Sequence, residues 1–367
     1  MKQFDLKNWN DEVFLAYTRQ VADPIKTSLI EAGVFYEDEE ISAKFPAQVG
    51  GNYAVRPITG LLSGDAVDLD GATNIDDGEL NTYSQGIVAI EMGKSFTEKD
   101  FTYSLTGKDF MVQVAEQVAR YWQKQSQKKL LSVLKGIFAS ALAGSIITKS
   151  AVASTDIIDA IREIGGDNAD LFRVVFMHSV IAKELEKTEK LTFVMQNRAD
   201  GLQIPTNLAY WNGRYVVVND QCPVVQNYAK TSDVAIDASK TYYELVDGEY
   251  VKVETPDVAD ISNYYEATTK TYRTYILGER AFARGDLPVL VPVEMERNGK
   301  KNGGETSLIS RIKFYLAPEG VSFKKPSALK ISNAVLETGA SWEVVNDGQG
   351  HSVEAKNIPF CAIDYTL

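Results

Sequence analysis

Cysteine and histidine are scarce, with two of each in 367 residues. Cys222 and Cys361 are too far apart for a metal-ligand spacing and form no disulfide framework, so both are expected to be reduced thiols. Only His178 and His351 could serve as imidazole bases, and no Gly-x-Ser-x-Gly elbow surrounds a serine. A hydrolytic triad therefore has no support, a structural histidine is the better reading of His178, and no catalytic residue is assigned. Basic excess is missing too: 38 Lys and Arg against 50 Asp and Glu leave a formal charge of -12. That disfavours wrapping nucleic acid by phosphate neutralisation, which needs clustered cations. The longest apolar stretch, residues 137–147, is well short of the roughly 20 residues of a membrane span, so no membrane association is expected. The start, MKQFDLKNWNDEVF, has no basic segment leading into an apolar run. No secretory signal is expected, and the mature chain should begin at or near Met1. Gly33, Gly50-Gly51 and Gly303-Gly304 fit no phosphate-binding loop, so no cofactor is expected. No repeat of 20–50 residues is visible.

What is present is a chain 44% hydrophobic, long enough for one large core or two smaller ones. Residues 8–33 have apolar positions at helical spacing, interrupted by Pro24, and read as a helical or partly extended arm. Residues 41–90 change character: Pro46, Gly50-Gly51, Pro57 and Gly60 punctuate short alternating runs such as Tyr53-Ala-Val-Arg-Pro57 and Gly86-Ile-Val-Ala-Ile90. Two long strands with an acidic tip between them give this pattern.

The strongest periodic signal follows. Phe110, Val114, Val118, Tyr121 or Trp122, Leu130, Leu134, Phe138, Ala141 and Leu142 recur at three- and four-residue steps, with one glycine, Gly136, and no proline. This pattern predicts a helix of about 35 residues from Thr106 to about Ala143, roughly 50 Å long. Its middle, Gln123-Lys-Gln-Ser-Gln-Lys-Lys129, is polar all round and predicts a helix that crosses exposed surface or meets another subunit.

Ser154-Thr-Asp156 reads as the N-cap of a short helix that stops at Gly165-Gly166. A βα unit follows, with strand Arg173-Val-Val-Phe-Met177 and a helix after His178-Ser179. Hairpins are predicted at Asn212-Gly213 and Asp247-Gly248. From Tyr272 the chain reads as strand-rich to its end, with little helical periodicity. Helices interleaved with antiparallel hairpins indicate an α+β fold.

Taken in order, the arm, the two-stranded excursion, the long helix, the βα-containing region and the β-rich return resemble the tailed-bacteriophage major capsid protein, the Hong Kong 97-like capsid fold. The stretches that carry the resemblance are Phe172-Arg-Val-Val-Phe-Met-His-Ser-Val-Ile-Ala-Lys-Glu-Leu185 and Tyr210-Trp-Asn-Gly-Arg-Tyr-Val-Val-Val-Asn-Asp-Gln-Cys-Pro223, then Thr274-Tyr-Ile-Leu-Gly-Glu-Arg-Ala-Phe282 and Phe314-Tyr-Leu-Ala-Pro-Glu-Gly-Val-Ser-Phe323. The resemblance implies an N-terminal arm (1–40), an extended loop (41–93), a peripheral domain with its spine helix (94–153), an axial domain (154–285, with a hairpin insertion at 240–255) and a peripheral β-rich return (286–367). It implies a shell subunit and not an enzyme, located in the virion and assembled in the host cytoplasm. Its partners would be copies of itself in hexamers and pentamers, a portal protein, a decoration protein and the enclosed genomic DNA, with no sequence-specific DNA binding. The extended loop begins only about 40 residues in, leaving no room for a fused scaffolding segment, so scaffolding is expected from a separate protein. Between Lys44 and Lys94 the loop has no lysine, so the lysine–asparagine cross-link of some relatives is not expected.

Asp68, Asp70, Asp76 and Glu79 occupy offsets 1, 3, 9 and 12 of a calcium loop, but Ala72 and Thr73 stand where a ligand and the turn glycine belong. A solvated acidic tip is preferred over a metal site, and contact with a basic neighbour is the remaining reading. The residues assigned to assembly contacts are Asp65, Asp68, Asp70, Asp76, Asp77 and Glu79 at that tip, and Tyr121, Trp122, Lys124, Lys128 and Lys129 on the helix, although for Tyr121 and Trp122 a core position is the preferred reading and a contact with another subunit the minority one. The cluster Glu296-Arg-Asn-Gly-Lys-Lys-Asn302 reads as a solvated turn before it reads as a DNA-facing patch. Two rivals stay open: an encapsulin-type nanocompartment shell of the same fold, and a hydrolase or carbohydrate-binding module using the β-rich residues 272–367.

Overall fold

The computed structural model describes residues 29, 32–47, 51–60, 68, 82–99, 111–188, 191–197, 203–211, 213–233, 235–237, 240–301, 303–347 and 351–367. In chain order the strands are β1 (Phe35–Tyr36), β2 (Tyr53–Thr59), β3 (Thr82–Lys99), β4 (Ile146–Lys149), β5 (Phe172–Met177), β6 (Thr192–Asn197), β7 (Gln203–Trp211), β8 (Arg214–Val218) and β9 (Val224–Lys230). They continue as β10 (Tyr242–Val246), β11 (Glu249–Lys252), β12 (Tyr264–Gly278), β13 (Phe282–Asp286), β14 (Val293–Asn298), β15 (Glu305–Pro318), β16 (Val321–Phe323), β17 (Trp342–Val344) and β18 (Phe360–Thr366). The helices are α1 (Glu39–Ala47), α2 (Met111–Ala139), α3 (Asp156–Gly165), α4 (Ser179–Glu186) and α5 (Asn333–Glu337). Helices and antiparallel strands interleave, so the fold is α+β. The chain forms two compact units, one from Met1–Ser145, Ile164–Val174 and Leu277–Phe360, the other from Ile146–Glu163, Val175–Ile276 and Cys361–Leu367.

The first unit is built on a sheet of order β1-β13-β15-β3-β2, with β14 also on β15. Its backbone is the long antiparallel pairing of β3 with β15, from Ala89↔Tyr315 to Lys99↔Glu305. Residues 85–90 of β3 are buried on both faces, whereas residues 91–97 are exposed or half-exposed. The buried part joins Ile41, Phe45, Ala54, Ala283, Leu287, Tyr315 and Ala317 in one core cluster.

Helix α2 runs for 29 residues, about 43 Å at 1.5 Å per residue. Its predicted N-terminal residues 106–110 lie outside the described residues. At its other end the helix stops at Ala139, earlier than the periodicity suggests. There Leu142 N–H turns back to the Ile137 carbonyl at 2.8 Å, and a 3-10 turn follows over Ala143–Ser145. Leu142 keeps its buried place through that turn, which explains why its position looked helical. The C-terminal half of α2 buries Leu130, Leu131, Val133, Leu134, Ile137 and Phe138. Helix α5, a short helix within the region read as strand-rich, contacts α2. Ser132 Oγ and Lys135 Nζ of α2 donate to Glu337 of α5 at 3.0 and 2.6 Å. Gly136 permits this approach, because a Cβ there would run into the Leu336 carbonyl and the Trp342 indole.

The second unit carries a sheet of order β11-β10-β12-β5-β8-β7-β6, with β9 and β18 also on β12 and β4 parallel to β18. The predicted hairpins are present: β10 and β11 pair across Val246↔Glu249, with Asp247 at φ 51° and Gly248 at φ 85°, while β7 and β8 pair across Trp211↔Arg214. Two successive left-handed residues match the twist of the flanking strands, which is why Asp-Gly suits this turn. Arg273 on β12 grips Asp364 on β18 with two hydrogen bonds, Nε at 2.7 Å and Nη2 at 2.6 Å. Cys222 and Cys361 are buried free thiols, and burial pushes both up to about 12, so they stay protonated.

Gly136→Ala tests the close helix packing. Alanine favours a helix interior by about 1 kcal/mol over glycine, while forced overpacking costs about 1–3 kcal/mol. The clash is with a backbone carbonyl and a buried indole, so the substitution should lower the unfolding midpoint in a denaturant titration; an unchanged or raised midpoint would show that α5 does not press on α2.

Candidate functional site

The root of the β2–β3 hairpin is organised by one arginine. Strand β2 reads Tyr-Ala-Val-Arg-Pro-Ile-Thr, and its alternation turns Ala54 and Arg56 inward. Arg56 is only 8% exposed, and a buried guanidinium is tolerable only when its charge and donors are matched. Nη1 donates to Asp38 Oδ2 at 2.7 Å, and Nη2 donates to Gln85 Oε1 at 2.7 Å and to Glu319 Oε2 at 3.0 Å. Each partner is tied down in turn. Asp38 Oδ1 accepts from the N–H groups of Glu40 and Ile41 at 3.0 and 3.2 Å, which holds the start of α1. Gln85 Nε2 donates to the carbonyls of Pro318 and Val321 at 2.6 and 2.9 Å, spanning the β15–β16 turn. Tyr36 donates to Glu319 at 2.7 Å, and the Arg280 guanidinium lies 4.2 Å from its ring centre. Burial, reinforced by Glu319, pushes the Tyr36 hydroxyl up to about 12.

A second feature is a cleft beside α2. Trp122 Nε1 donates to Ser310 Oγ at 2.9 Å, and the ring packs with Phe96 and Met295 against Val118, Val293 and Leu308. Tyr121 meets Phe96 and Trp122 edge-on, with ring centres 5.5 and 5.1 Å away. Two helical turns further on, Lys129 is only 6% exposed, and its Nζ donates to the Ile331 carbonyl at 3.1 Å. Burial, with Lys128 nearby, lowers its pKa. Asn52 Nδ2 donates to the Leu329 carbonyl at 2.6 Å, so the 329–331 backbone is held from two sides. The cleft encloses about 580 Å³; Glu91, Trp122, Gln125, Lys129, Lys313 and Lys330 are among its walls.

These observations sort the residues singled out from sequence. Tyr121, Trp122 and Lys129 come together in the chain's own packing, whereas Lys124 and Lys128 are exposed. The stretch read as polar all round is therefore not solvated all round: Gln123, Gln125, Ser126 and Gln127 are half-buried, and Lys129 lays its methylene stem inward to reach a carbonyl. Asp68 is exposed; Asp65, Asp70, Asp76, Asp77 and Glu79, and with them the calcium-like set, lie outside the described residues. His178 caps α4, its Nδ1 accepting from Val180 N–H at 3.2 Å. Lys300 and Lys301 sit exposed at the turn between β14 and β15, with Lys301 paired to Glu305 at 2.8 Å. Arg56, Asp38, Gln85, Glu319, Lys313 and Lys330 were missed from sequence. The available signal was Arg56 itself, at the inward parity of an alternating strand.

Replacing Arg56 by Met leaves two carboxylates facing a buried site without their cation, so a loss of about 3–5 kcal/mol is expected in chemical denaturation; a loss below about 1 kcal/mol would class the pair with ordinary surface bridges. The acid limb of stability should also report Asp38. Burial alone would raise its carboxyl, but the Arg56 hydrogen bond and charge and the two N–H donors outweigh burial and hold it below its ordinary 3.8. A depressed carboxyl adds stability above its unfolded value and loses it as pH falls through the lower folded value. Asp38→Asn should therefore lower stability at neutral pH and flatten the decline on acidification; parallel wild-type and variant acid titrations would contradict this.

No protein-family model matches the chain. The major capsid protein of Bacillus phage SPP1 is 25% identical over 329 residues, covering 88% of this chain and 87% of that protein. Among solved structures, the capsid of Ralstonia phage GP4 superposes with a TM-score of 0.52 at 10% identity, over 92% of this chain and 88% of that one. The fold agrees with the order of elements read along the chain: it is the Hong Kong 97-like capsid fold, and the sequence is similar to a phage major capsid protein over most of its length.

Proposed function

We propose that this chain is the coat subunit of a tailed-phage head, and that its activity is geometric. The observation that carries the reading is similarity to a phage major capsid protein over nearly the full length of both chains, joined to a capsid fold. Copies of the chain build the shell by many repeated contacts, each modest, whose closure supplies stability through multivalency. The second compact unit is assigned as the axial domain that gathers at capsomer centres in hexamers and pentamers, and the first as the peripheral domain with α2 as its spine. The hairpin of β2 and β3 is assigned as the root of the extended loop, held at a fixed exit angle by Arg56. A separate scaffolding protein, a portal and decoration proteins are the further partners proposed, with assembly in the host cytoplasm and genomic DNA enclosed without sequence reading.

The test is to express the chain alone and with its neighbouring phage genes, then examine the products by negative-stain electron microscopy and sedimentation. Shells, tubes or capsomer rings are expected. A small oligomer that persists with a scaffold present would overturn the reading.

A further inference from the structure

The basic turn between β14 and β15 has no part in the reading above, yet its sequence is chemically distinctive. Asparagine is followed by glycine at three places, Asn212, Asn298 and Asn302, and two of these lie in this one turn. Such a dipeptide is labile, because the N–H of a residue without a Cβ can reach the side-chain amide that precedes it. Whether a fold suppresses or promotes the reaction depends on what holds the asparagine.

Here the fold leaves it open. The β14–β15 ladder ends at Asn298↔Glu305, so the peptide linking Asn298 to Gly299 is the first beyond the ladder. Asn298, Gly299, Lys300 and Lys301 are all exposed, and a Cβ on Gly299 would meet nothing within 4 Å. The Asn298 side chain is folded toward its own C-terminal side, where its Oδ1 accepts from the Lys300 N–H, two residues on, at 3.1 Å. That bond draws electron density from the amide carbon and keeps the carbon on the side of the Gly299 nitrogen. Cations flank the pair. Arg297 donates to Thr306 Oγ1 at 3.2 Å, Lys301 pairs with Glu305 at 2.8 Å, and Lys300 has no carboxylate partner among the described residues. A positive field favours both the anion formed when the Gly299 N–H loses its proton and the oxyanion that follows.

We propose that Asn298 is a self-modifying site, at which the β14–β15 turn converts its own asparagine through a succinimide into aspartate and isoaspartate and so ages from basic to neutral. The deprotonated Gly299 nitrogen attacks the Asn298 amide carbon. The N–Cγ bond forms, the Cγ–Nδ2 bond breaks, and the side-chain nitrogen takes a proton from water and leaves as ammonia. Water then adds to either carbonyl of the succinimide ring, opening it to aspartate or isoaspartate; nothing is oxidised or reduced. From Glu296 to Glu305 the segment carries three cations against two carboxylates, so the one added carboxylate brings it to neutrality. The inference does not rest on the shell reading, and it applies to the unassembled chain.

The test follows unassembled full-length chain in mildly alkaline buffer by anion-exchange chromatography and peptide mapping, beside a free peptide running from Glu294 to Thr306. The expected result is a growing acidic form whose altered residue is Asn298, with aspartate and isoaspartate appearing together, at a rate equal to or above that in the free peptide. The Gly299→Ala variant, whose new Cβ hinders the attacking nitrogen, should slow the conversion by about tenfold or more. Slower conversion in the folded chain than in the peptide would show that the turn protects Asn298 and would overturn the proposal. Aspartate without isoaspartate, or an unchanged rate in Gly299→Ala, would overturn the succinimide route. A thermal melt of that variant confirms that it is folded, and the comparison of the parent chain with the peptide stands without it.

Discussion

A guanidinium taken out of water imposes order on whatever must neutralise it. Arg56 is inward-facing on β2, and its three main partners come from the start of α1, from β3 and from the turn after β15. No single local segment could meet that demand. Satisfying it fixes the hairpin root against the β15–β16 turn and fixes the entrance to α1 through the second oxygen of Asp38. The projecting strands therefore leave the body in a direction determined before any other chain is met. For a protein whose work is to tile a surface, such pre-set direction reduces the ordering cost that each contact must overcome.

The long helix makes the same point with packing. Its C-terminal half is buried against the α5 region, with Gly136 placed where backbone and indole leave no room for a side chain. Its preceding turns stand beside a cleft in which Trp122 is anchored by Ser310 and Lys129 by a carbonyl. The helix thus has a stabilising end and an end that borders an accessible cleft, although both belong to one unbroken 29-residue run.

Elements set by local chemistry were legible in the sequence. The period of α2, the Asp247-Gly248 turn, the strand before α4 and the stop at Gly165 each depend on residues close together in the chain. What was not legible depends on distant partners. The acceptor of Lys129 is 202 residues away, and Arg56 reaches Glu319 across 263. Periodicity marked Lys129 as part of a polar belt because it cannot report a carbonyl brought in from Ile331. Helix α5 is five residues long, too short to leave a periodic trace, and shows instead in its Ser332 cap. The acidic composition of residues 60–81 was plain from the start, but the lysines across the cleft from Lys129 became visible only once β15 and residues 329–332 were placed together.

The central claim is that the Arg56 network fixes the root of the β2–β3 hairpin within the chain itself, before copies meet. Hydrogen–deuterium exchange, compared between unassembled chain and particles, addresses it most directly. The account predicts that the strands around Arg56 and Gln85 are equally protected in both states. Protection that appears at the Arg56 root only on assembly would contradict it.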